Sequence, residues 1–374
     1  MINPDVFCNS LKKAGYTFVT GVPDSLLKEI SKNFINKLKK KHIISTNEGS
    51  AIGLAIGHFL GTNNPAVVYL QNSGLGNTIN PIASLANPKV YGIPMLLIIG
   101  WRGEIRKKIQ IKDEPQHKFQ GQITEKQLKL MNIPYKIIDS KIKNIYKTIQ
   151  DLRKKSIQFQ CPVALLVRKN TFSKSKYNFI EKKKYNFVRE DIIKVILKIC
   201  QNKKIIIVST TGMASRELYE LRKINNDNHF KDFLAVGGMG HANQIATGLS
   251  MTTKKKIICI DGDGSILMHT GAMGISSQMS NFLHIIINNG SHDSVGGQPT
   301  IGKKLDLKNI TKNFGYKLNY SVSNIKSLSK TLNKCIRSKK SSAVVINCDK
   351  GFRSNLGRPE RNMIKRKKFF MKLV

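Results

Sequence analysis

Long apolar runs and paired cysteines are both missing from this 374-residue sequence. No apolar run approaches the roughly 20 residues that a membrane-spanning helix needs, so we expect no membrane association. The six cysteines are scattered without a C-x-x-C pair, which argues against a zinc site or a disulfide framework and favours reduced, mostly structural thiols. The first residues, MINPDVFCNSLKKAGY, favour a short amphipathic helix over a signal peptide, which predicts a cytoplasmic protein.

Acidic residues are also scarce, because 23 Asp and Glu stand against 63 Lys and Arg and give a formal net charge of +40. Such a charge is typical of proteins that bind nucleic acid, since basic surfaces release counterions from the phosphate backbone. The lysines, however, are spread over nearly every segment, without a nucleic-acid-binding module or an aromatic-interleaved basic stripe. We therefore expect solvated lysine faces and no nucleic-acid partner, and a noncatalytic nucleic-acid-binding protein stays as the alternative from another class.

Seven apolar segments alternate with stretches of helical length. They contain the runs AVVYL, MLLII, PVALL, IIIVS, KIICI, LHIII and AVVIN. Near-continuous Val, Ile and Leu separated by helices predicts parallel strands covered on both faces, which defines an α/β fold. The Lys-, Tyr- and Asn-rich segment 171–187 shows no sustained pattern, so we take it as a linker between domains at 1–170 and 188–374.

The two halves repeat the order of strand, glycine turn, helix and strand. Aligning Gly74 with Gly264 also aligns Gly100 with Gly290 without a gap. This indicates two doubly wound parallel-sheet domains related by duplication. Two unrelated strand–helix–strand units are the alternative, because α/β proteins repeat such units in any case.

The segment DGDGSILMHTGAMGISSQMSNFLHIIINNGSHDS, residues 261–294, places an acidic turn after one apolar run and paired asparagines after the next. We expect a crossover helix from Ser265 to Met279, and convergence of the carboxylate and amides at the carboxyl edge of the sheet, where ligands bind. One carboxylate, one amide carbonyl and one backbone carbonyl suit Mg²⁺ and a diphosphate. A dinucleotide fingerprint fails at Leu267, and GQPTIGKK lacks the Ser or Thr of a phosphate-binding loop. A purely structural turn remains the alternative.

Gly-Asp-Gly followed after a helix and a strand by Asn-Asn resembles the signature of the thiamine diphosphate enzymes. The resemblance implies thiamine diphosphate and Mg²⁺ as cofactors, a pyrimidine-binding first half and a diphosphate-binding second half. It implies three Mg²⁺ ligands, namely Asp263, Asn289 and the backbone carbonyl of Ser291. The implied cofactor contacts are Thr211, Gly212 and Met213 at a helix N-terminus, Gly264 and Ser265 at the diphosphate, Gly237 at the amino group, and Met239 as the wedge that bends the cofactor. For Met239, an ordinary core position is the alternative.

Glu48, in STNEGSAIGLAIGH, stands where a predicted strand gives way to a helix rich in small residues. In the family a glutamate here hydrogen-bonds the pyrimidine ring, so the resemblance implies that Glu48 contacts the cofactor and is catalytic. A carboxylate in that role needs a desolvated site that favours its protonated or shared-proton form. A glutamate that only caps the helix is the structural alternative.

The motifs GVPDSLLK, QNSGLGN, GWRGE, DEPQHKFQGQIT and NNGSHDSVGGQPT resemble the phosphonopyruvate decarboxylase family over essentially the whole chain, with the sulfopyruvate decarboxylases as near neighbours. The resemblance implies nonoxidative decarboxylation of 3-phosphonopyruvate to phosphonoacetaldehyde and CO₂, in phosphonate biosynthesis, with sulfopyruvate as the alternative substrate. Such an anionic 2-keto acid needs cations and hydrogen-bond donors around it. The candidates are Asp24, His117, His292 and Asp293 as catalytic residues, and Ser25 and Arg102 as substrate contacts.

Three of these candidates have open alternatives. Arg102 fits a solvated loop arginine equally well, and His117 fits a turn cap. Asp24 is expected to orient a histidine or relay a proton, because a carboxylate would repel the anionic substrate. In the family the cofactor lies between the pyrimidine domain of one subunit and the diphosphate domain of another, which implies a homo-oligomer.

Overall fold

The structure is a computed structural model of the chain that describes residues 1–106, 109–179, 183–359 and 362–374. The chain divides into two compact units, Met1–Ile180 and Glu181–Val374. Within the predicted linker 171–187, residues 180–182 lie outside the described residues, so the linker's bounds stay a prediction. Among the described residues, no helix has both the length and the apolar character needed to span a bilayer.

The described residues of the first unit form a parallel sheet of six strands with helices on both faces. The strands are β1 (Val19–Gly21), β2 (His42–Ile44), β3 (Ala66–Gln71), β4 (Met95–Gly100), β7 (Tyr135–Ile138) and β8 (Pro162–Val167), in the order β2-β1-β3-β4-β8-β7. A separate antiparallel pair is formed by β5 (Ile105–Arg106) and β6 (Ile109–Gln110). The helices are α1 (Pro4–Lys13), α2 (Lys28–Leu38), α3 (Glu48–Thr62), α4 (Leu75–Pro81), α5 (Pro115–Leu130) and α6 (Ile145–Gln158).

Strand β3 shows why this sheet is covered on both faces. Alternate side chains of a strand point to opposite faces, and both sets in β3 are apolar. Val67 and Tyr69 pack with residues of α1, α2 and α6, whereas Val68 and Leu70 pack with residues of α3 and α4. The predicted doubly wound α/β arrangement is confirmed here, and so is the short amino-terminal helix, which is α1.

The described residues of the second unit form a second parallel sheet of six strands. The strands are β9 (Ile205–Ser209), β10 (Asp232–Leu234), β11 (Lys256–Gly262), β12 (Phe282–Asn288), β15 (Leu318–Val322) and β16 (Ser342–Asn347), in the order β10-β9-β11-β12-β16-β15. A separate antiparallel pair is formed by β13 (Ser291–His292) and β14 (Gln298–Pro299). The helices are α7 (Arg189–Cys200), α8 (Met213–Ile224), α9 (Ala242–Thr252), α10 (Asp263–Ile266), α11 (Ala272–Ser276), α12 (Leu307–Asn313), α13 (Ile325–Arg337) and α14 (Met363–Met371).

Both sheets follow one strand order. When the strands of each sheet are numbered within their own unit, both read 2-1-3-4-6-5, and every pairing is parallel. This repetition supports the predicted duplication. It also places the corresponding functional loops of the two units after corresponding strands.

Two details predicted from the sequence are wrong, one in the alignment of the repeat and one in the extent of a helix. In the ladders Gly100 lies beside Gln71, and Ile286 lies beside Asp261. If Gln71 corresponds to Asp261, as the alignment of Gly74 with Gly264 requires, Gly100 corresponds to Ile286, and Gly290 lies in the loop beyond β12. The predicted single helix from Ser265 to Met279 is divided into α10 and α11, because residues 267–271 form a cap and turns between them.

All six cysteines are buried and unbridged, as predicted for structural thiols. The first unit holds Cys8 and Cys161, and the second holds Cys200, Cys259, Cys335 and Cys348. Burial raises the pKa of the Cys8 thiol to about 12 and that of Cys200 to about 11, so these groups stay protonated at neutral pH.

Candidate active site

The predicted residues of the first unit follow β1, β2 and β4 at the carboxyl edge of its sheet. Glu48 begins α3 after β2, and its side chain is buried, with the residue 6% exposed. The Asn77 amide donates to Glu48 Oε2 at 2.7 Å. A Cβ atom on Gly74 would lie 2.2 Å from Glu48 Oε1, so only glycine allows the carboxylate to sit there. Burial raises the pKa of Glu48 although the Asn77 bond opposes this, which favours a carboxyl group that holds a proton.

The cap of α3 is Asn47, not Glu48. Its side-chain oxygen accepts the Ser50 amide at 2.8 Å. Glu48 is therefore directed to Asn77 and Gly74 and is not needed as the capping side chain. The catalytic role itself stays a prediction.

Asp24, after β1, is fully buried and bound by amides. Its Oδ1 accepts from the Gln71 side chain at 2.7 Å, and its Oδ2 accepts from the backbone of Leu26 and Leu27 at 2.9 and 3.2 Å. A Cβ on Gly100 would lie 2.0 Å from Asp24 Oδ2. In the part of the chain that the structure describes, no histidine hydrogen-bonds this carboxylate, and the role of Asp24 in orienting a histidine or relaying a proton stays a prediction. Burial raises its pKa, although the hydrogen bonds oppose the shift.

Arg102, after β4, is tied into an ion pair and is not a solvated loop arginine. Its Nε donates to Asp113 Oδ2 at 2.7 Å, a second guanidinium nitrogen donates to Asp113 Oδ1, and a third donates to Ser25 Oγ at 3.1 Å. Burial opposes ionisation of Asp113, but the Arg102 guanidinium holds the pKa of that carboxyl below its ordinary value. The structure thus brings Ser25 and Arg102 together, with the arginine's charge already paired.

His117 lies in the first turn of α5 beside this pair. Burial, followed by the nearby Arg102 charge, lowers its pKa to about 4, so the ring is neutral at pH 7. Among the described residues its Nδ1 has no hydrogen-bond partner although it is buried. A neutral imidazole with a free ring nitrogen can donate or accept one hydrogen bond from a ligand.

The second unit places Asp263 at the end of β11, where it begins α10. The residue is 1% exposed, and Thr300 donates its hydroxyl to Asp263 Oδ2. Burial raises the pKa of Asp263 to about 6, despite the Thr300 bond. A carboxylate held in so dry a site gains most from a cation, because burial of an unpaired charge is costly. This environment fits the metal ligand that was predicted.

The two asparagines after β12 are placed differently. Asn289 Oδ1 accepts the Ser291 amide at 3.0 Å, whereas Asn288 Oδ1 is buried without a partner among the described residues. A Cβ on Gly302 would lie 2.4 Å from Asp263 Oδ2 and 2.9 Å from Asn288 Oδ1, so both oxygens face the same backbone. An orphaned amide oxygen beside a buried carboxylate is a donor set that suits Mg²⁺, and it adds Asn288 to the predicted Asn289 and Ser291.

Asp293, predicted as catalytic, lies in a buried ion-pair network. Arg189 donates to Asp293 Oδ2 at 3.1 Å and forms two hydrogen bonds with Glu217 at 2.8 and 2.9 Å. The same Asp293 oxygen accepts from the Asn289 side chain at 2.9 Å. The Asp293 carboxylate therefore orients the Asn289 side chain and helps to neutralise Arg189.

His292 lies against the Gly-Asp-Gly turn. A Cβ on Gly264 would lie 2.9 Å from His292 Cε1. Burial lowers the pKa of His292 to about 4, although Asp293 opposes the shift, so the ring is neutral at pH 7. The turn therefore needs glycine at this position for packing, in addition to any contact with a ligand.

The N-terminus of α8 is open to an anion. Gly212 is its N-cap at φ +89°, and no side chain caps the helix, so its first amides are not bonded by a cap. Thr211 is half-buried and Met213 is buried at this end. The Ser265 hydroxyl lies 3.0 Å from the Thr210 hydroxyl and accepts the Gly240 amide at 3.0 Å, which joins two of the predicted cofactor loops.

Gly237 and Met239 lie in the loop between β10 and α9. Both are half-buried, unlike the core residue Met273, which is fully buried. The neighbours Gly238 and Gly240 have φ of +64° and +91°, which lets the chain turn sharply around Met239. The alternative of Met239 as an ordinary core residue is therefore not supported.

A cluster that sequence reasoning missed lies in the core of the second sheet. Cys259, Asp261 and His284 are fully buried and bring possible ligand atoms within 4.8 Å of one another. His284 Nε2 lies 3.6 Å from Asp261 Oδ2, and His284 Nδ1 lies 2.9 Å from the Tyr316 hydroxyl. A thiol and an imidazole do not suit Mg²⁺, so this cluster is not the predicted metal site.

Sequence reasoning also missed the residues that hold the predicted ones in place. They are Gln71, Asn77, Asp113 and Thr300. Each reaches its partner from another segment, so no local pattern identifies them. Asn77 was the most accessible, because it is the last residue of the QNSGLGN motif, which begins at the end of β3.

Comparison with known families matches two sequence models. The model of the thiamine pyrophosphate enzyme N-terminal TPP binding domain matches residues 4–130, and that of the C-terminal TPP binding domain matches residues 210–348. Together the two matches cover more than half of the chain. The chain belongs to the thiamine pyrophosphate enzymes, and its cofactor is thiamine diphosphate.

The chain is similar to curated members of this family along most of its length. It is 29% identical over 362 residues to the phosphonopyruvate decarboxylase of Streptomyces viridochromogenes, which covers 92% of this chain and 88% of that protein. The phosphonopyruvate decarboxylase of Streptomyces hygroscopicus is 27% identical over 382 residues, covering 96% and 91%. The alpha subunit of sulfopyruvate decarboxylase from Methanococcus maripaludis is 41% identical over 155 residues, covering 41% of this chain and 87% of that subunit.

Proposed function

We propose that the protein is a thiamine diphosphate- and Mg²⁺-dependent decarboxylase that converts 3-phosphonopyruvate to phosphonoacetaldehyde and CO₂, in phosphonate biosynthesis. The similarity to two phosphonopyruvate decarboxylases over more than nine-tenths of the chain carries this proposal. The buried carboxylates Glu48 and Asp263, each at the carboxyl edge of its own sheet, support it chemically. A noncatalytic binding protein has no need to keep both carboxylates in desolvated sites.

The bound cofactor supplies an electron sink for the electrons that remain when CO₂ leaves a 2-keto acid. Asp263, Asn289 and the carbonyl of Ser291 would hold Mg²⁺, with Asn288 beside them. The open N-terminus of α8 at Gly212 would receive the diphosphate. These residues bind and orient, which is the protein's main contribution to cofactor chemistry.

Glu48 is proposed to hold the proton that passes between the protein and the pyrimidine ring. Its Oε2 is bound by Asn77, and its Oε1 lies over Gly74. Burial raises the pKa of Glu48, which favours its protonated form. A general acid or base works best when its pKa lies near the operating pH.

The proposed substrate contacts are Ser25, Arg102 and His117 in the first unit and His292 in the second. Ser25 Oγ accepts from Arg102, so its own hydroxyl hydrogen is available to an anion. Both histidines are neutral at pH 7 and act as hydrogen-bond donors, not as cations. Asp24 would hold the turn that carries Ser25, through its bonds to the following backbone amides.

We also propose a cytoplasmic homo-oligomer with active sites between subunits. On α3, Leu54 and Leu60 are exposed, and Gly53 and Gly57 have open space where a side chain would be. Ile79 of α4 is exposed as well. A helix face of this kind permits close packing against a second copy of the chain.

The test is turnover of the purified protein with Mg²⁺ and thiamine diphosphate on phosphonopyruvate, sulfopyruvate and pyruvate. We expect CO₂ release to be fastest with phosphonopyruvate, and the Asp263→Ala variant serves as the inactive control. The 41% identity to a sulfopyruvate decarboxylase subunit makes sulfopyruvate the second candidate. Faster turnover of sulfopyruvate would replace the proposed substrate, and DNA binding that persists at moderate salt without any turnover would replace the enzyme class.

A further inference from the structure

Two histidines that the proposed mechanism does not use lie side by side in the second unit. The rings of His241 and His269 have centroids 4.8 Å apart and planes at 59°. His241 follows the loop that carries Gly237 and Met239, and His269 lies just after α10. Both therefore come directly after segments that are proposed to contact the cofactor.

Gly240 makes this arrangement possible. Its φ is +91°, and a Cβ there would lie 2.7 Å from His269 Cδ2. Its amide donates to Ser265 Oγ at 3.0 Å, which ties the His241 loop to the Gly-Asp-Gly turn. The pair is thus fixed beside the proposed cofactor contacts at Met239 and Ser265.

Both rings keep a nitrogen for a ligand. His241 Nδ1 lies 3.2 Å from the Gly238 carbonyl and 3.3 Å from the Met239 carbonyl, so this nitrogen carries the hydrogen and directs Nε2 away from the backbone. The His241 side chain is exposed. Among the described residues, His269 Nε2 is buried and has no hydrogen-bond partner.

The pair also lacks a counter-charge in the part of the chain that the structure describes. No carboxylate there forms a salt bridge with either ring, whereas Arg189 is already neutralised by Glu217 and Asp293. Burial, followed by repulsion from His241, lowers the pKa of His269. An anion between two adjacent imidazole rings favours their charged form.

We propose that His241 and His269 bind the phosphonate group of the substrate, an inference that rests on the proposed decarboxylase function. A phosphonate dianion offers three acceptor oxygens and two charges, which match two imidazolium donors. The site would leave the 2-keto acid end of the substrate directed to the cofactor. The pair would then set the preference for a phosphonate over an uncharged substituent.

The experiment compares the cofactor-loaded wild type with His241→Gln, His269→Gln and the double variant. Glutamine places a donor near the position of Nε2 but carries no charge. We expect KM for phosphonopyruvate to rise about 10-fold in each single variant and about 100-fold in the double variant, as expected for lost charge-assisted hydrogen bonds. We expect kcat and thiamine diphosphate affinity to change by less than about threefold.

A second readout does not depend on turnover. Methylphosphonate titrated into the loaded protein should bind the wild type and lose affinity in parallel with the KM changes, while methanesulfonate binds more weakly because it carries a single charge. His241→Arg should retain methylphosphonate binding, since it keeps a cation at an exposed position. The control is His229→Gln, because His229 packs against the Tyr219 and Phe230 rings outside the site.

The outcomes separate this inference from the reaction itself. Methylphosphonate binding that depends on the pair, without decarboxylation of phosphonopyruvate, would keep the site and reject the reaction. Turnover with unchanged KM in the double variant would reject the site and keep the reaction. A fall in kcat alone, or an equal loss of cofactor affinity, would also overturn the inference, because the pair would then act on the reacting atoms or on the fold.

Discussion

The two units have the same strand order but hold their buried carboxylates by different means. In the first unit, Glu48 and Asp24 are bound by the side-chain amides of Asn77 and Gln71. In the second, Asp263 is bound by a hydroxyl group and has an orphaned amide oxygen nearby. Side-chain amides can satisfy the hydrogen bonds of a carboxyl group without a cation. A carboxylate beside an unpaired amide oxygen, as in the second unit, favours a bound cation. The shared sheet thus fixes where the loops lie, and the loop residues decide which chemistry each edge supports.

The residues at corresponding positions inside the two sheets also differ, and the second sheet holds the more polar pair. The pair Tyr69–Ile98 in the first ladder corresponds to Cys259–His284 in the second. Among the described residues, each unit also has a buried tyrosine bonded to a histidine: Tyr69 to His42, and Tyr316 to His284, both at 2.9 Å. In the second unit, this histidine also lies 3.6 Å from Asp261, the residue that precedes the Gly-Asp-Gly turn.

The largest expected effect comes from Asp263→Ala, which removes the charged metal ligand proposed in the second unit. We expect Mg²⁺-dependent retention of thiamine diphosphate to fall more than about 100-fold, with turnover lost. Equilibrium dialysis of the cofactor measures this directly. Asp306→Ala, which removes a cap of α12 in the same unit, is the control. Unchanged cofactor affinity in Asp263→Ala would remove Asp263 from the site.

Glu48→Gln tests the proposed site of the first unit and should separate activation of the cofactor from binding of the cofactor. Glutamine keeps the size and a hydrogen-bonding end but cannot exchange the proton, so turnover should fall by about 10² to 10⁴. Cofactor affinity should change by less than about tenfold, or roughly 1.4 kcal/mol. The measurements are cofactor titration and exchange of the thiazolium C2 proton with deuterated solvent. Glu125→Gln is the matched control, and exchange at the wild-type rate in Glu48→Gln would leave Glu48 a structural role only.

The corresponding glycines Gly74 and Gly264 allow the most direct comparison of the candidate sites in the two units. Gly74→Ala drives a methyl group into Glu48, so kcat should fall about 10- to 100-fold with little change in cofactor affinity. Gly264→Ala drives it into His292 at the proposed diphosphate site, so cofactor affinity should fall instead. Gly61→Ala, where the added Cβ meets nothing within 4 Å, controls for the substitution. Equal effects of the two variants on kcat and affinity would contradict the division of roles.

Acidic pH should weaken metal and cofactor binding by the second unit. Mg²⁺ competes with the proton on Asp263, whose pKa is raised to about 6, so affinity falls as the pH drops through that value. Below it, cofactor retention should decrease about tenfold per pH unit. Retention measured between pH 5 and 8 that stays constant would show that Asp263 does not bind the metal.

The smallest effects are expected from Tyr316→Phe and Tyr69→Phe. Each leaves one imidazole nitrogen without its hydrogen bond, at a cost of about 1–2 kcal/mol in the free energy of unfolding. Tyr316→Phe should cost more, because His284 is fully buried and His42 only partly. Urea denaturation of the two variants compares them directly. A larger loss in Tyr69→Phe would reverse this reasoning.

The sequence predicted the long apolar strands well and the short strands poorly. All seven apolar runs are strands of the two sheets, because burial on both faces demands continuous Val, Ile and Leu. The remaining strands of the sheets, such as β7 (YKII) and β10 (DFL), are short and mixed in composition, which gives no distinct period. The break between α10 and α11 was missed because Leu267 and Met268 continue the apolar pattern into the turn.

The candidate site was predictable where residues lie next to strand ends and not where they come from distant loops. Asp263, Asn289 and Glu48 follow strands, so the topology alone brings them to an edge. Thr300 and Asp113 reach the site from loops whose course depends on tertiary packing. The charge of Arg102 is paired because the loop carrying Asp113 folds back onto it, and residue spacing alone does not predict that pairing.

The buried thiols give each unit its own chemical reporter. A thiol-specific alkylating reagent reacts with the thiolate, which burial suppresses at Cys8 and Cys200 alike. Modification therefore requires local or global opening, and mass spectrometry of the labelled peptides assigns each opening event to the unit that contains the cysteine. Two cysteines lie in the first unit and four in the second, so labelling rates can show which half of this duplicated chain opens first.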